Sequence, residues 1–482
     1  MRLKIGNVAW SALDAMLSSL QALVSAFVVA RLIGPSEVGI GASVIATQLI
    51  AAQILSSMSD VIVQRRSVDE RVAASATWYL VLLALLLGLI VFGFGLALTT
   101  MLDDPRIVPM SAWAALCLMP HAYAAVLSQW LVRHREFRLL FWRGAVCATA
   151  AMAVGIAMAA SGYGAWAMVV PSALIPALSA VATAWVSRWR PPLRWRWAEV
   201  APLLSFAVPQ MLTGLAWGAR YRVFFTLLTA TAAPQVLGFV HMAFRAVDSV
   251  SQLLFATVQR LMLPQMARVQ DDVPALREMH DRFVRLISLV ALPIFGGLAL
   301  CIGPLFSLGL GSGWEPAVHG AVPLAVLGAY QAWRLATSTA ITARGMARQT
   351  MWLGIFVLIL TTAAQVIWRP ATPAEAAWIW AGPMIASIWP SQWVANRALH
   401  ERLWSLLRPG LPALAATLVA AVAALAVEAV TPAGGAFAQL LLRGGVFSVV
   451  YAAIALGLLG GDVRDALGTA GFSRAPAVET GR

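Results

Sequence analysis

The chain has 482 residues, 60% hydrophobic and only 11% charged. At a mean hydropathy of +0.79 it is too apolar for a soluble protein, and its repeated apolar runs of about 20 residues indicate a polytopic α-helical membrane protein. Those long continuous runs exclude a β-barrel, and the formal charge of +13 does not imply nucleic acid, because nearly all the arginine falls in alternate loops.

Fourteen spanning segments are expected, at 8–33, 38–62, 74–100, 108–132, 143–161, 164–187, 201–228, 236–262, 284–308, 317–341, 351–368, 374–395, 410–430 and 436–460. Arg2 and Lys4 precede the first. That segment is long enough to span, whereas a cleaved signal peptide has a shorter core and a small-residue cleavage site. A retained first helix with a cytoplasmic N-terminus is therefore expected. The loops on that side, with the termini and adjoining helix ends, hold 26 Lys and Arg, against three on the other side, Arg31, Arg106 and Arg369. This asymmetry is the positive-inside pattern and places both termini in the cytoplasm. Five arginines fall within segments: Arg220, Arg222, Arg245, Arg334 and Arg443. The loops are short, the longest far-side one lying around Gly309–Val318, and an amphipathic link is expected over Pro264–Arg285.

The three cysteines, Cys117, Cys147 and Cys301, sit in apolar surroundings without a CxxC pair. No disulfide or metal framework is expected from them, and the histidines form no metal-spaced cluster. No cofactor is expected. Trp189, Trp195 and Trp197 fit an aromatic belt at the interface.

One segment concentrates polarity on a single face. In the apolar run Val236–Leu263, residues His241, Arg245, Asp248, Gln252 and Gln259 are spaced by four, three, four and seven, the period of one helical face. An Asp or Arg near the bilayer centre costs roughly 2.5–3.5 kcal/mol, and such residues usually face a bundle interior or a water-filled cavity. Either Arg245 and Asp248 form a buried ion pair that joins helices, or the stripe lines a hydrated path. Other segments carry stripes too: Asn7, Ser11, Asp14, Ser18, Gln21 and Ser25 in the first; Gln53, Ser57, Asp60 and Gln64 in the second; Gln210, Thr213, Trp217 and Arg220 in the seventh; Gln331, Arg334, Ser338 and Thr342 in the tenth. The four stripes on segments 1, 2, 7 and 8 stand in corresponding places of two halves, which favours a central cavity over helix–helix glue.

The halves show in a faint repeat. Arg31-Leu-Ile-Gly-Pro-Ser-Glu-Val-Gly39 leads into the second segment and Leu227-Leu-Thr-Ala-Thr-Ala-Ala-Pro-Gln-Val-Leu-Gly238 into the eighth, and each of those segments ends on Gln-Arg. An offset of six helices keeps the copies in one orientation, as in parallel transporter repeats. Lobes at 1–200 and 201–400 follow, with 401–482 forming two further helices and a tail. Arg220 and Arg245 lie at one depth, about 12 Å from the far side at 1.5 Å per residue. Such a pair suits a phosphate or pyrophosphate, which arginine grips with a planar fork. Arg222 cannot share Arg220's face. His241 reads as a hydrogen-bonded cavity residue. Asp14 and Asp248 are candidates for coupling to protons or cations.

Several stretches resemble the polysaccharide transporter, or oligosaccharide flippase, family of the multidrug/oligosaccharidyl-lipid/polysaccharide exporter superfamily. They are Ala30-Arg-Leu-Ile-Gly-Pro-Ser-Glu-Val-Gly39, Val63-Gln-Arg-Arg66, Asp103-Asp-Pro-Arg-Ile-Val-Pro109, Ser161-Gly-Tyr-Gly-Ala-Trp166, Ser187-Arg-Trp-Arg-Pro191, Leu203-Leu-Ser-Phe-Ala-Val-Pro209 and Pro264-Gln-Met-Ala-Arg-Val-Gln-Asp271. The resemblance implies an all-α fold of two pseudo-symmetric six-helix lobes plus two C-terminal helices, like that of multidrug-and-toxin exporters. It also implies alternating access that carries an undecaprenyl-pyrophosphate-linked oligosaccharide from the inner to the outer leaflet of a bacterial inner membrane. Family members often carry an acidic-basic pair in the seventh helix, where this chain reads Ala219-Arg-Tyr-Arg222.

The expected ligand is a lipid-linked oligosaccharide, a precursor of exopolysaccharide, capsule or lipopolysaccharide. Membrane lipid, a glycan polymerase and export machinery are the expected partners. Arg220, Arg245 and Arg334 would engage pyrophosphate or anionic sugars, with Arg222, His241, Gln252, Gln21 and Trp217 lining the cavity. A drug exporter of the same fold would favour acidic over basic groups there. A membrane glycan polymerase or ligase would carry a long external loop with catalytic Arg or His, and no such loop or nucleophile–base set is visible, so no enzymatic activity is expected.

Overall fold

The structure is a computed structural model that describes residues 5–64, 69–186, 190–193, 195–400, 403–431, 434–458 and 460. Arg2, Lys4, Arg65, Arg66, Arg188, Trp189, Arg194, Arg402, Arg464, Arg474 and Arg482 lie outside the described residues. So do the side chains of Asn7, Ser11, Gln64, Gln210, Thr213, Trp217, Gln259 and Arg260, although their backbones are helical.

Every regular element among the described residues is helical. In order they are α1 (Ile5–Ile33), α2 (Pro35–Ser59), α3 (Val61–Gln64), α4 (Glu70–Leu102), α5 (Ile107–Leu116), α6 (Leu118–Arg133), α7 (Phe137–Ala160), α8 (Trp166–Val186), α9 (Trp197–Thr231), α10 (Pro234–Arg268), α11 (Val273–Gly309), α12 (Glu315–Ala343), α13 (Ala347–Trp368), α14 (Pro373–Ala386), α15 (Ile388–Leu399), α16 (Leu403–Leu407), α17 (Leu411–Val430) and α18 (Ala436–Leu458). Ten of the described helical stretches are long and apolar enough to cross a membrane. The stripe-bearing helices α9, α10 and α12 are not among those ten.

Two expected spans are each broken in two. α5 gives way to α6 at Cys117, and α14 to α15 at Ser387. Pro120 and Pro390 explain both breaks. A helical proline lacks an N–H and its ring clashes with the carbonyl four residues earlier, here Leu116 and Ala386, the last residues of α5 and α14. The expected amphipathic link over Pro264–Arg285 is instead mostly helix. α10 runs on to Arg268 and α11 starts at Val273, with the Asp272 side chain accepting a hydrogen bond from the Ala275 N–H (3.1 Å). α14 opens on a capping box: the Glu375 N–H donates to Thr372 Oγ1 (3.2 Å) and the Glu375 carboxylate accepts from the Thr372 N–H (3.2 Å).

The chain divides into two compact units. The first comprises 1–249, 309–320 and 354–383. In one of its cores Leu55, Leu80, Leu118, Val126 and Leu127 of α2, α4 and α6 meet. In another, Val44, Leu98, Ile107, Met110 and Val169 of α2, α4, α5 and α8 meet. The second unit comprises 250–308, 321–353 and 384–482. There α17 and α18 join α11 where Phe447 and Thr417 sit against Gly296. Ala413, Ala416, Ala420 and Ala424 are buried along one face of α17. Small residues at that spacing let helices approach closely where no hydrophobic drive operates.

Three of the sequence stretches that resemble the exporter family converge on one corner of the first unit. The Glu37 carboxylate accepts hydrogen bonds from the Ala165 N–H (2.7 Å) and from the Arg106 guanidinium (2.9 and 3.2 Å). Arg106 also pairs with Asp104 at 2.8 Å. Gly164 has φ of +56°, and a Cβ there would sit 2.8 Å from Glu37 Cδ. Glycine is therefore needed both for the turn and for the carboxylate's approach.

The hydrogen bonds from Arg106 hold the Asp104 carboxyl below the usual carboxylate range. A depressed carboxyl stabilises the fold at neutral pH, and that contribution is lost as pH falls through the folded-state pKa. Thermal stability is therefore expected to drop below about pH 4, and Asp104→Asn should lower the neutral-pH melting point while flattening the acid limb. Parallel melting profiles for variant and wild type across that range would refute this account.

Candidate transport site

The α10 stripe emerges in the first unit as a half-buried row. His241, Arg245 and Asp248 are each partly covered, while Val240, Met242, Ala243, Phe244, Ala246 and Val247 between them are buried. Arg245 interacts electrostatically with His241 and Asp248, and both Arg245 and Asp248 act on Tyr221 of α9. Among the described residues, no ion pair joins the Arg245 and Asp248 side chains. Gln252 lies one turn further along α10 and is exposed.

Arg220 has a different setting. Its Nε donates to Thr361 Oγ1 of α13 (3.0 Å), its Nη2 donates to the Trp380 carbonyl of α14, and its guanidinium lies 3.7 Å from the centre of the Trp380 ring. Trp380 belongs to an aromatic box. Phe224 and Phe244 approach it at 5.2 Å and Tyr221 at 6.0 Å, the last edge-on at 89°. Cations are drawn to the negative face of such a ring, so Arg220 fastens α9 to two later helices through one stacked, hydrogen-bonded head. His241 borders the same box, its ring 6.3 Å from that of Phe225.

Arg222 turns away from Arg220, as a spacing of two requires. Its guanidinium folds along its own helix over Gly218, whose missing side chain leaves room: a Cβ there would be 2.7 Å from Arg222 Cζ. Arg222 Nη1 is buried with no hydrogen-bond partner among the described residues. Trp217, on the same helix, has its side chain outside the described residues.

The first helix presents two more of the expected residues. Gln21 Nε2 donates to Thr149 Oγ1 (2.7 Å) and to the Ala145 carbonyl (3.3 Å) of α7, and its Oε1 is buried without a partner among the described residues. Asp14 lies beside Gly144, 3.1 Å from where a Cβ would stand. Its electrostatic partner is Arg143. The expected span 143–161 has Arg143 as its first residue, among the cytoplasmic-side cations. Instead it projects among three helices and donates from Nη1 to Ser128 Oγ of α6 (2.6 Å) and Thr183 Oγ1 of α8 (3.2 Å). Its position on the first turn of an apolar run was the only signal that it belonged inside. The second helix adds Asp60, whose carboxylate accepts from Gln129 Nε2 of α6 (2.6 Å).

Arg334 belongs to the second unit. It donates from Nη1 to Ser387 Oγ (3.3 Å), at the α14–α15 break, and lies 5.7 Å from the centre of the Tyr330 ring. No group of three or more His, Cys, Asp or Glu suited to a metal occurs among the described residues.

The two copies of the sequence repeat meet directly. Pro35 to Gly39 opens α2 and Pro234 to Gly238 opens α10. A Cβ on Gly39 would overlap the Pro234 carbonyl oxygen and lie 2.7 Å from its carbon; one on Gly238 would overlap the Pro35 carbonyl oxygen and lie 2.9 Å from its carbon. Each glycine thus accommodates the backbone carbonyl of the other repeat's proline. The contact is reciprocal, as a two-fold relation between repeats requires.

This arrangement of long helices matches solved transporters. The fold is similar to that of the lipid II flippase MurJ in an inward closed conformation, with a TM-score of 0.76, 12% identity, and coverage of 95% of this chain and 100% of that one. It is also similar to an inward-facing multidrug resistance MATE family transporter of the MOP superfamily, with a TM-score of 0.53, 15% identity, and coverage of 81% and 94%. A third similar structure is a MOP superfamily transporter from Pyrococcus furiosus, with a TM-score of 0.50, 15% identity, and coverage of 84% and 95%. The chain is therefore a multi-pass membrane protein with the all-α exporter fold that its sequence implied. It belongs to the family described as polysaccharide biosynthesis proteins, which it matches over residues 28–319. A search among curated proteins returned no match.

Proposed function

We propose that the protein is a flippase for a lipid-linked oligosaccharide, which it moves from the inner to the outer leaflet of the bacterial inner membrane by alternating access of two lobes, 1–200 and 201–400. Both termini are cytoplasmic in this reading, and the ligand is a pyrophosphate-linked precursor of a surface polysaccharide. Arg245 carries the proposal. It is a cation deep in an apolar helix, at the centre of a stripe with His241 and Asp248, and no ion pair to Asp248 is made among the described residues. A guanidinium there, placed within a low-dielectric surround, gains most from an anion that can take two hydrogen bonds at once. The polysaccharide family match and the flippase-like fold support the same class of cargo.

Arg220, Arg222 and Arg334 supply further positive charge to the path, and Asp14, with Arg143 beside it, and Asp248 are the coupling groups. Gln21, Gln252 and Trp217 complete the proposed lining. A drug exporter of this fold is the second reading. The multidrug transporters share the architecture, but the deep charges here lean basic, which suits an anionic ligand better than a cationic one.

The test is the sidedness of the lipid-linked oligosaccharide in cells lacking this protein. Accumulation on the cytoplasmic leaflet, reversed by the intact gene, is the expected result. Translocated but unpolymerised glycan would point to a polymerase, and unchanged pools on both leaflets would overturn the glycan reading in favour of small-molecule export.

A further inference from the structure

A cavity of about 660 Å³ opens within the second unit, between the later half of α10, the first half of α11 and one face of α12. Its walls are aliphatic and aromatic, among them Leu254, Phe255, Phe283, Ile287, Ala291 and Leu335. Among the described residues its polar lining is Gln265, near the end of α10, and Glu278 and Arg282, in the first three turns of α11. Along α11 the lining beyond Arg282 is wholly apolar as far as Ala291, nine residues or about 14 Å. One leaflet's hydrocarbon is about 15 Å thick, half the bilayer core. The cavity therefore has the length and the polarity gradient of one amphiphile chain held by its headgroup.

The headgroup's chemistry follows from the two charges. Glu278 and Arg282 are exposed and one turn apart, the spacing at which opposite charges usually pair on a helix. Both line the cavity, and among the described residues no ion pair joins them. A purely anionic headgroup on Arg282 would meet the Glu278 carboxylate, and a glycan would find few hydrogen-bonding groups among the described lining residues. A zwitterion that carries both a phosphate and an amine satisfies both charges at once.

We infer that this cavity is a binding site for an aminophospholipid, one acyl chain lying between α10 and α11, its phosphate on Arg282 and its amine on Glu278. The proposal does not depend on which cargo the protein carries. It ties the α10–α11 connection to the lipid composition of the membrane.

The test uses the full chain in phosphatidylglycerol vesicles that contain a trace of phosphatidylethanolamine with a photoreactive acyl chain. Labelling is expected in peptides covering residues 254–291, and unlabelled phosphatidylethanolamine should compete for it. Arg282→Ala combined with Glu278→Gln should reduce labelling about tenfold, the effect of roughly 1.4 kcal/mol, with unchanged melting, since both side chains are exposed. Ala291→Trp, which fills the chain site, should reduce it likewise. Labelling spread evenly over the lipid-facing helices would overturn the proposal. So would equal competition by a polyprenyl pyrophosphate, or full labelling of the double charge variant.

Discussion

Gly39→Val is expected to destabilise the protein by about 3 kcal/mol or more, and Gly238→Val by a similar amount. Overpacking usually costs roughly 1–3 kcal/mol because side chains can give way. Here the obstacle is a backbone carbonyl at the start of a helix, that of Pro234 for Gly39 and that of Pro35 for Gly238, so relief requires the two helices to part. The two costs should not add. Once one substitution has separated α2 from α10, the second side chain enters space already opened, as expected for residues that share a contact. Gly93→Ala supplies the comparison, since nothing lies within 4 Å of a Cβ there, and alanine in a helix is otherwise favourable by roughly 0.5–1 kcal/mol. Thermal unfolding of the detergent-solubilised protein, read by intrinsic tryptophan fluorescence, measures all four variants. If Gly39→Val melts with Gly93→Ala, or if the double variant shows the full sum, the reciprocal contact does not hold these helices together.

Arg245→Ala and Arg220→Ala should fail in different ways. Arg245 makes no ion pair to Asp248 among the described residues, so its loss is expected to abolish export while leaving the melting temperature near that of the wild type. Arg245→Lys should restore part of the export at most, because an ammonium keeps the charge but not the planar fork. Arg220 is held by Thr361, by the Trp380 carbonyl and by the Trp380 ring. Hydrogen bonds from charged groups contribute about 1.5–3 kcal/mol each, and a desolvated cation–π contact about 2 kcal/mol. These are not additive for one side chain, and Arg220→Ala is expected to cost at least about 2 kcal/mol of stability along with export. Normal export by Arg245→Ala would remove the anion site from α10, and an unchanged melting point for Arg220→Ala would show that the Trp380 contacts do not fasten α9.

The sequence alone was enough to establish that the chain is a bundle of membrane helices, because the length and apolarity of a run report directly on what can span a bilayer. The polar stripes were equally legible, since the 3.6-residue period assigns residues to a face without knowledge of any neighbour. The repeat was visible as Pro35 to Gly39 and Pro234 to Gly238, whereas the expected spans 108–132 and 374–395 ran unbroken through Pro120 and Pro390, where the structure divides each helix. What the sequence could not determine was the partner of each buried charge. Asp14 showed no partner nearby in the chain, yet Arg143 stands beside it. Arg220 looked like half of a phosphate clamp, yet its guanidinium lies on Trp380, far along the chain. The repeat gave no sign that its two glycines would face each other's prolines. Within a bilayer, helices gain little hydrophobic energy from choosing one neighbour over another, so tilt, rotation and partner are decided by close packing and by a few hydrogen bonds. Those terms depend on several helices at once, and only the folded arrangement expresses them.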